Sequence, residues 1–116
     1  MKQLEPHAYL LGVGETATVR LEGMPSAVMV SIELDGHPLP SDRNEFQVTG
    51  TDKESNHKLL LYFQPTVQET VSFVVGLFGS EGGSFQVPIE LVGGLTQTRL
   101  FRFTVEGPAS RFGVPG

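Results

Sequence analysis

Three histidines, His7, His37 and His57, are the side chains of this chain best suited to proton transfer or metal ligation near neutral pH. None stands in a His-x-His or His-x-x-x-His spacing, and a zinc ion or a general base needs partners that converge. They read as solvated surface histidines. The run Thr51-Asp52-Lys53-Glu54-Ser55-Asn56 sets oxygen-bearing side chains at alternate positions, which a hard cation such as calcium could use. It lacks the glycine and the later glutamate of an EF-hand loop, and Lys53 puts a positive charge inside it. A solvated loop is the expectation. Gly12-Val13-Gly14 is followed by neither the Lys-Ser/Thr of a phosphate loop nor a helical pattern. Ser26, Ser31, Ser72 and Ser80 sit in no Gly-x-Ser-x-Gly setting, and the sparse histidines leave a Ser–His dyad without support. Glu33 and Glu90 fall on the wet sides of alternating runs, whereas glycoside chemistry needs two carboxyl groups converging in one cleft. The residue types and spacings therefore indicate no catalytic residue, no metal site and no cofactor. The chain is expected not to be an enzyme.

The elements that position these side chains alternate with period two. In Thr16–Glu22, Ala17, Val19 and Leu21 alternate with Thr18, Arg20 and Glu22. In Ala27–Asp35, Val28, Val30, Ile32 and Leu34 alternate with Met29, Ser31 and Glu33. In Ser84–Val92, Phe85, Val87, Ile89 and Leu91 alternate with Gln86, Pro88 and Glu90, and in Gln97–Val105, Arg99, Phe101, Phe103 and Val105 alternate with Leu100, Arg102 and Thr104. Successive side chains of a strand face opposite ways, so each run buries one side and wets the other. Glycine- and proline-bearing turns separate the runs, among them Asp35-Gly36 and Gly79-Ser80-Glu81-Gly82-Gly83. The pattern predicts an all-β, antiparallel, immunoglobulin-like sandwich of seven or eight strands over residues 1–106, with a barrel or jelly roll as the structural alternative. Residues 107–116, rich in Gly and Pro and carrying Phe112 and Val114, read as an irregular C-terminal arm. Pro88 cannot donate to a ladder, which places Ser84–Val92 at an edge or a bulge.

Length and charge narrow the function classes. A chain of 116 residues suits one domain with one core. Without cysteine it can form no disulfide. Thirteen acidic residues against eight basic ones give a net charge of −5, which argues against nucleic acid as a partner. No apolar run approaches the length of a membrane span, and Met1-Lys2-Gln3-Leu4-Glu5-Pro6 is unlike a signal peptide. A cytoplasmic or virion location without membrane insertion is the expectation.

Several elements between Val13 and Gly93 carry a family likeness. They are Val13-Gly14-Glu15-Thr16-Ala17-Thr18-Val19, Phe46-Gln47-Val48, Leu61-Tyr62-Phe63-Gln64-Pro65 and Val87-Pro88-Ile89-Glu90-Leu91-Val92-Gly93. The chain resembles the hydin-type and major-sperm-protein-like (PapD-like) immunoglobulin domains over about two-thirds of its length, and departs from them after Gly93. The resemblance implies a protein-binding module and names no partner.

The most informative feature is apolar excess on sides that should be wet. Leu59-Leu60-Leu61-Tyr62-Phe63 is apolar on both sides. In Val71–Phe78 the inward set is Val71, Phe73, Val75 and Leu77, which leaves Val74 and Phe78 outward. Met29, Val92 and Leu100 add to such a surface. Either the N-terminal segment or the Phe112 arm covers it, or Leu60, Tyr62, Val74 and Phe78 bind a protein partner or a second copy of the chain. An open strand edge near Pro88 could also pair with another chain. A virion structural component, such as a phage capsid decoration protein, is the alternative. A carbohydrate-binding module ranks lower, because the chain has no Trp and only Tyr9 and Tyr62.

Overall fold

A computed structural model describes residues 1–40, 44–51 and 55–106. The described residues form ten strands and no helix. In chain order these are β1 (Lys2–Glu5), β2 (Ala8–Leu11), β3 (Thr16–Glu22), β4 (Val28–Leu34), β5 (His37–Leu39), β6 (Glu45–Thr49), β7 (Asn56–Pro65), β8 (Val71–Gly79), β9 (Ser84–Leu91) and β10 (Gln97–Val105). One sheet has six strands in the order β1-β2-β10-β7-β4-β5, and the other has four in the order β6-β3-β8-β9. All neighbours run antiparallel except β2 and β10, which are parallel.

Alternation decides which side of each strand meets the other sheet. Leu59, Leu61 and Phe63 of β7 and Phe101, Phe103 and Val105 of β10 are buried from the six-stranded side. Val71, Phe73, Val75 and Leu77 of β8 and Ala17, Val19 and Leu21 of β3 are buried from the four-stranded side, in the same apolar cluster. Phe63 meets Phe73 edge-on across the interface, with ring centroids 5.3 Å apart, a favourable aromatic geometry. The two sheets therefore pack face to face around one core.

Ten strands stand where seven or eight were expected. The two additions, β1 and β5, are the outermost strands of the six-stranded sheet. All four side chains of β1 are exposed, so it has no apolar alternation, and β5 is only three residues with Pro38 at its centre. Both are short edge strands, which resist pairing with other chains. β9 is an edge of the four-stranded sheet, the place its proline requires.

Two local devices fix the frame. Asp35 (φ 53°) and Gly36 (φ 83°) are both left-handed, the backbone of a two-residue hairpin between β4 and β5. The Asp35 carboxylate accepts the Lys58 backbone N–H at 2.8 Å, and the Asp35 N–H donates to the Lys58 carbonyl at 2.9 Å. This ties the hairpin to the start of β7. At the other end Glu15, the one buried charged side chain among the described residues, accepts from the Met1 ammonium at 2.7 Å and from the backbone N–H groups of Gly12 and Glu81 at 3.0 and 3.2 Å. The same ammonium donates to the Gly82 carbonyl at 2.8 Å. Gly83 must be glycine here: its φ is +93°, and a Cβ would fall 2.2 Å from the Met1 carbonyl oxygen.

Candidate contact face

The structure divides the four expected contact residues into two pairs. Leu60 and Tyr62 lie on β7, facing out from the six-stranded sheet. Val74 and Phe78 lie on β8, facing out from the four-stranded sheet. Because the sheets pack face to face, these exteriors point in opposite directions. The four residues do not form one patch.

On the exterior of the four-stranded sheet several side chains contact one another. The Arg20 guanidinium lies 5.0 Å from the centre of the Phe78 ring and pairs with Glu45 at 3.0 Å. Phe78 in turn covers Gly76: a Cβ there would sit 2.9 Å from Phe78 Cε2 and 3.0 Å from Glu22 Oε1. Thr16 and Thr49 hydroxyls share a hydrogen bond at 2.9 Å across β3 and β6. Val74 stands opposite Pro88 of β9. Val74 and Pro88 line a shallow open pocket on this side.

The exterior of the six-stranded sheet is arranged in rows across β10, β7 and β4. Thr98, Tyr62 and Ser31 form one row, and Leu100, Leu60 and Glu33 the next. Arg102 stands directly opposite Lys58 in the row after that. Two like charges opposite each other on a sheet destabilise it by roughly 0.2–1 kcal/mol. Among the described residues neither side chain makes an ion pair or hydrogen bond. Both line an open cleft of about 780 Å³, together with Ala8, Thr104 and, from β1, Leu4 and the acidic Glu5. Leu4 (53 %) and Met29 (61 %) extend the apolar exposure of the same sheet. A half-buried leucine pair therefore borders a cationic pair that makes no ion pair among the described residues.

The β9 edge is less open than this face. Pro88 removes one donor from the middle of β9, and the Glu90 carbonyl is taken by the Arg99 guanidinium at 3.2 Å. A further strand pairing there would lack a donor and face an acceptor already in use.

The histidines and serines give a different result from their spacing. His57 Nδ1 meets Asp35 Oδ2 at 2.8 Å, and its Nε2 lies 3.4 Å from Ser55 Oγ. That connectivity is the order of a Ser–His–Asp relay, which the sequence did not suggest because Asp35 is 22 residues away. Acyl transfer also needs donors aimed at a developing oxyanion, and Ser55 does not line the adjoining cleft. Asp35 has a sufficient structural role in tying the β4–β5 turn to β7. Burial alone would raise its pKa, but the His57 hydrogen bond, the Lys58 N–H and the charges of His57 and His37 hold it below the ordinary aspartate value. His7 lies against Phe101, its ring 4.8 Å away, and His37 is exposed on β5. No group of three potential metal ligands forms among the described residues. Asn56 accepts from the Thr104 hydroxyl at 2.9 Å, while Asp52, Glu54 and the Phe112 arm lie outside the described residues.

Sequence parity alone could have linked Lys58 to Leu60 and Arg102 to Leu100, since each pair is two positions apart on one strand. Only the β7–β10 register brings the two pairs together. No helix among the described residues is long and apolar enough to cross a membrane. Comparison with protein-family models, with curated protein sequences and with solved structures found no match.

Proposed function

We propose that this chain is a non-catalytic protein-binding module or structural subunit that works through the exterior of its six-stranded sheet, around Leu60, Leu100 and Tyr62. The observation that carries the reading is the row structure of that exterior. A leucine pair lies next to a Lys58–Arg102 pair that makes no ion pair among the described residues, whereas on the opposite exterior Arg20 is held by Glu45 and stands over Phe78. Apolar surface left uncovered on a folded domain marks contact sites.

The immunoglobulin-like part of the reading is supported by the β4-β7-β10 neighbourhood, which matches the C-F-G order of such sandwiches. The β8–β9 hairpin beside β3 is an addition to that plan. The likeness to hydin-type and major-sperm-protein-like domains belongs to the same proposal, with a cytoplasmic or virion setting. A carbohydrate-binding role has less to stand on, because Tyr9 is fully buried and leaves Tyr62 as the one outward tyrosine.

The test compares Tyr62→Asp with Phe78→Asp, by light scattering for self-association and by quantitative affinity capture for other partners. Association should disappear with Tyr62→Asp and persist with Phe78→Asp, while far-UV circular dichroism is unchanged in both. Equal loss in both variants, or in neither, would remove the six-stranded face as the contact surface.

A further inference from the structure

We infer that the face receives an acidic peptide segment of a partner protein, with a carboxylate set against Lys58 and Arg102 and an apolar side chain set against Leu60 and Leu100. The inference rests on the contact reading above and adds the chemistry of the partner.

Charge is the first support. Acidic residues outnumber basic ones thirteen to eight, yet the position opposite Arg102 holds Lys58. A carboxylate there would have relieved the sheet, as Glu45 does for Arg20 on the opposite exterior. Real proteins break a local rule of this kind where a ligand supplies the missing group. A carboxylate arriving between a lysine and an arginine gains charge-assisted hydrogen bonds from both.

Spacing is the second. Lys58 and Leu60 are two residues apart on one strand, and so are Arg102 and Leu100, which separates the cationic row from the leucine row by roughly 7 Å. Residues i and i+2 of an extended segment have the same separation. An acidic residue followed two positions later by an apolar one would therefore meet both rows. The cleft lined by Ala8, Thr104 and, on its β1 side, Glu5 leaves room beside Arg102 for the incoming side chain.

Other occupants fit less well. A second copy using the same face would set Lys58 and Arg102 near their own counterparts. The chain's own residues 107–116 carry Arg111 and no acidic side chain. A nucleic acid would meet two cations on a chain of net charge −5.

The test is selection from phage-displayed random twelve-residue peptides on the full chain. Wild type is compared with the Lys58→Glu/Arg102→Glu double variant, with Leu60→Asp and with Val74→Asp. The wild-type pool should be rich in Asp or Glu two positions from an apolar residue. Its members should bind at least tenfold more weakly to Leu60→Asp and with unchanged affinity to Val74→Asp. The charge swap should turn the selected pool basic. Should that swap lower the melting temperature, Lys58→Gln/Arg102→Gln replaces it, and its pool must lose the acidic bias. A neutral or basic wild-type pool overturns the inference, as does a pool indifferent to the swap, or tighter binding of a twenty-residue oligothymidylate than of any selected peptide. A neutral pool that Leu60→Asp still abolishes leaves the contact face standing without its acidic partner. A pool that Leu60→Asp does not weaken removes both.

Discussion

The exteriors of the two sheets are built by the same alternation, yet they finish differently. On the four-stranded side, Phe78 is an outward aromatic that looks from sequence like a docking residue. It is instead a cover for Gly76 and a platform for Arg20, which is itself held by Glu45. On the six-stranded side, Leu60 faces Leu100, and the next row opposes two cations that make no ion pair among the described residues. An apolar side chain on a wet face is thus not a site by itself. What distinguishes the two faces is whether neighbouring charges and gaps have been satisfied within the sheet.

That contrast can be tested with changes of decreasing size. The largest effect should belong to neither face. Glu15→Gln takes the counter-charge from the buried Met1 ammonium, and breaking a buried pair costs about 3–5 kcal/mol, read by urea denaturation. Burial alone would raise the Glu15 pKa, but the ammonium and the Gly12 and Glu81 N–H groups pull it below the ordinary glutamate value of 4.5. A depressed folded-state pKa stabilises the fold above the unfolded value and stops doing so as pH falls through the folded one. Asp35 acts in the same direction from its ordinary 3.8. Melting temperature should therefore drop on acidification below about pH 4.5, and Glu15→Gln should show less of that drop.

Next in size is Gly76→Val. Its side chain would displace Phe78 and Glu22, so stability should fall by roughly 1–3 kcal/mol, the usual range for overpacking. No such effect is expected from Ser31→Val on the six-stranded exterior, where the position is exposed. A double-mutant cycle on Arg20→Ala and Phe78→Leu should then give a coupling of about 0.5–1 kcal/mol for the cation–ring contact. A coupling near zero would mean that the four-stranded face is no better satisfied than the other.

The smallest change has the opposite sign. Lys58→Glu replaces a repulsive cross-strand pair by an attractive one and should stabilise the fold by about 0.2–1 kcal/mol at low salt. The gain should shrink in high salt, because exposed charges are screened. Destabilisation by Lys58→Glu would show that the lysine already has a partner.

Much of the fold was legible because alternation reports burial directly. The inward sets of the runs through Ala17, Phe73 and Phe101 are the core. β1 escaped because all of its side chains are wet, and β5 because three residues with a proline carry too little pattern. The candidate site was legible only in part. Parity identified Leu60, Tyr62, Val74 and Phe78 as outward, and they are, but parity cannot say which sheet a strand joins. That depends on long-range pairing, here β7 with β10 and β8 with β3. The same missing register concealed Lys58 beside Arg102 and His57 beside Asp35.

Hydroxyl-radical footprinting of the chain in its cellular setting and again after purification tests the contact face most directly. Leu60 and Tyr62 should be protected in the cell and become reactive once the chain is isolated, while Phe78 reacts alike in both. Protection of Phe78 with Leu60 and Tyr62 fully labelled in the cell would contradict a contact made through the six-stranded sheet.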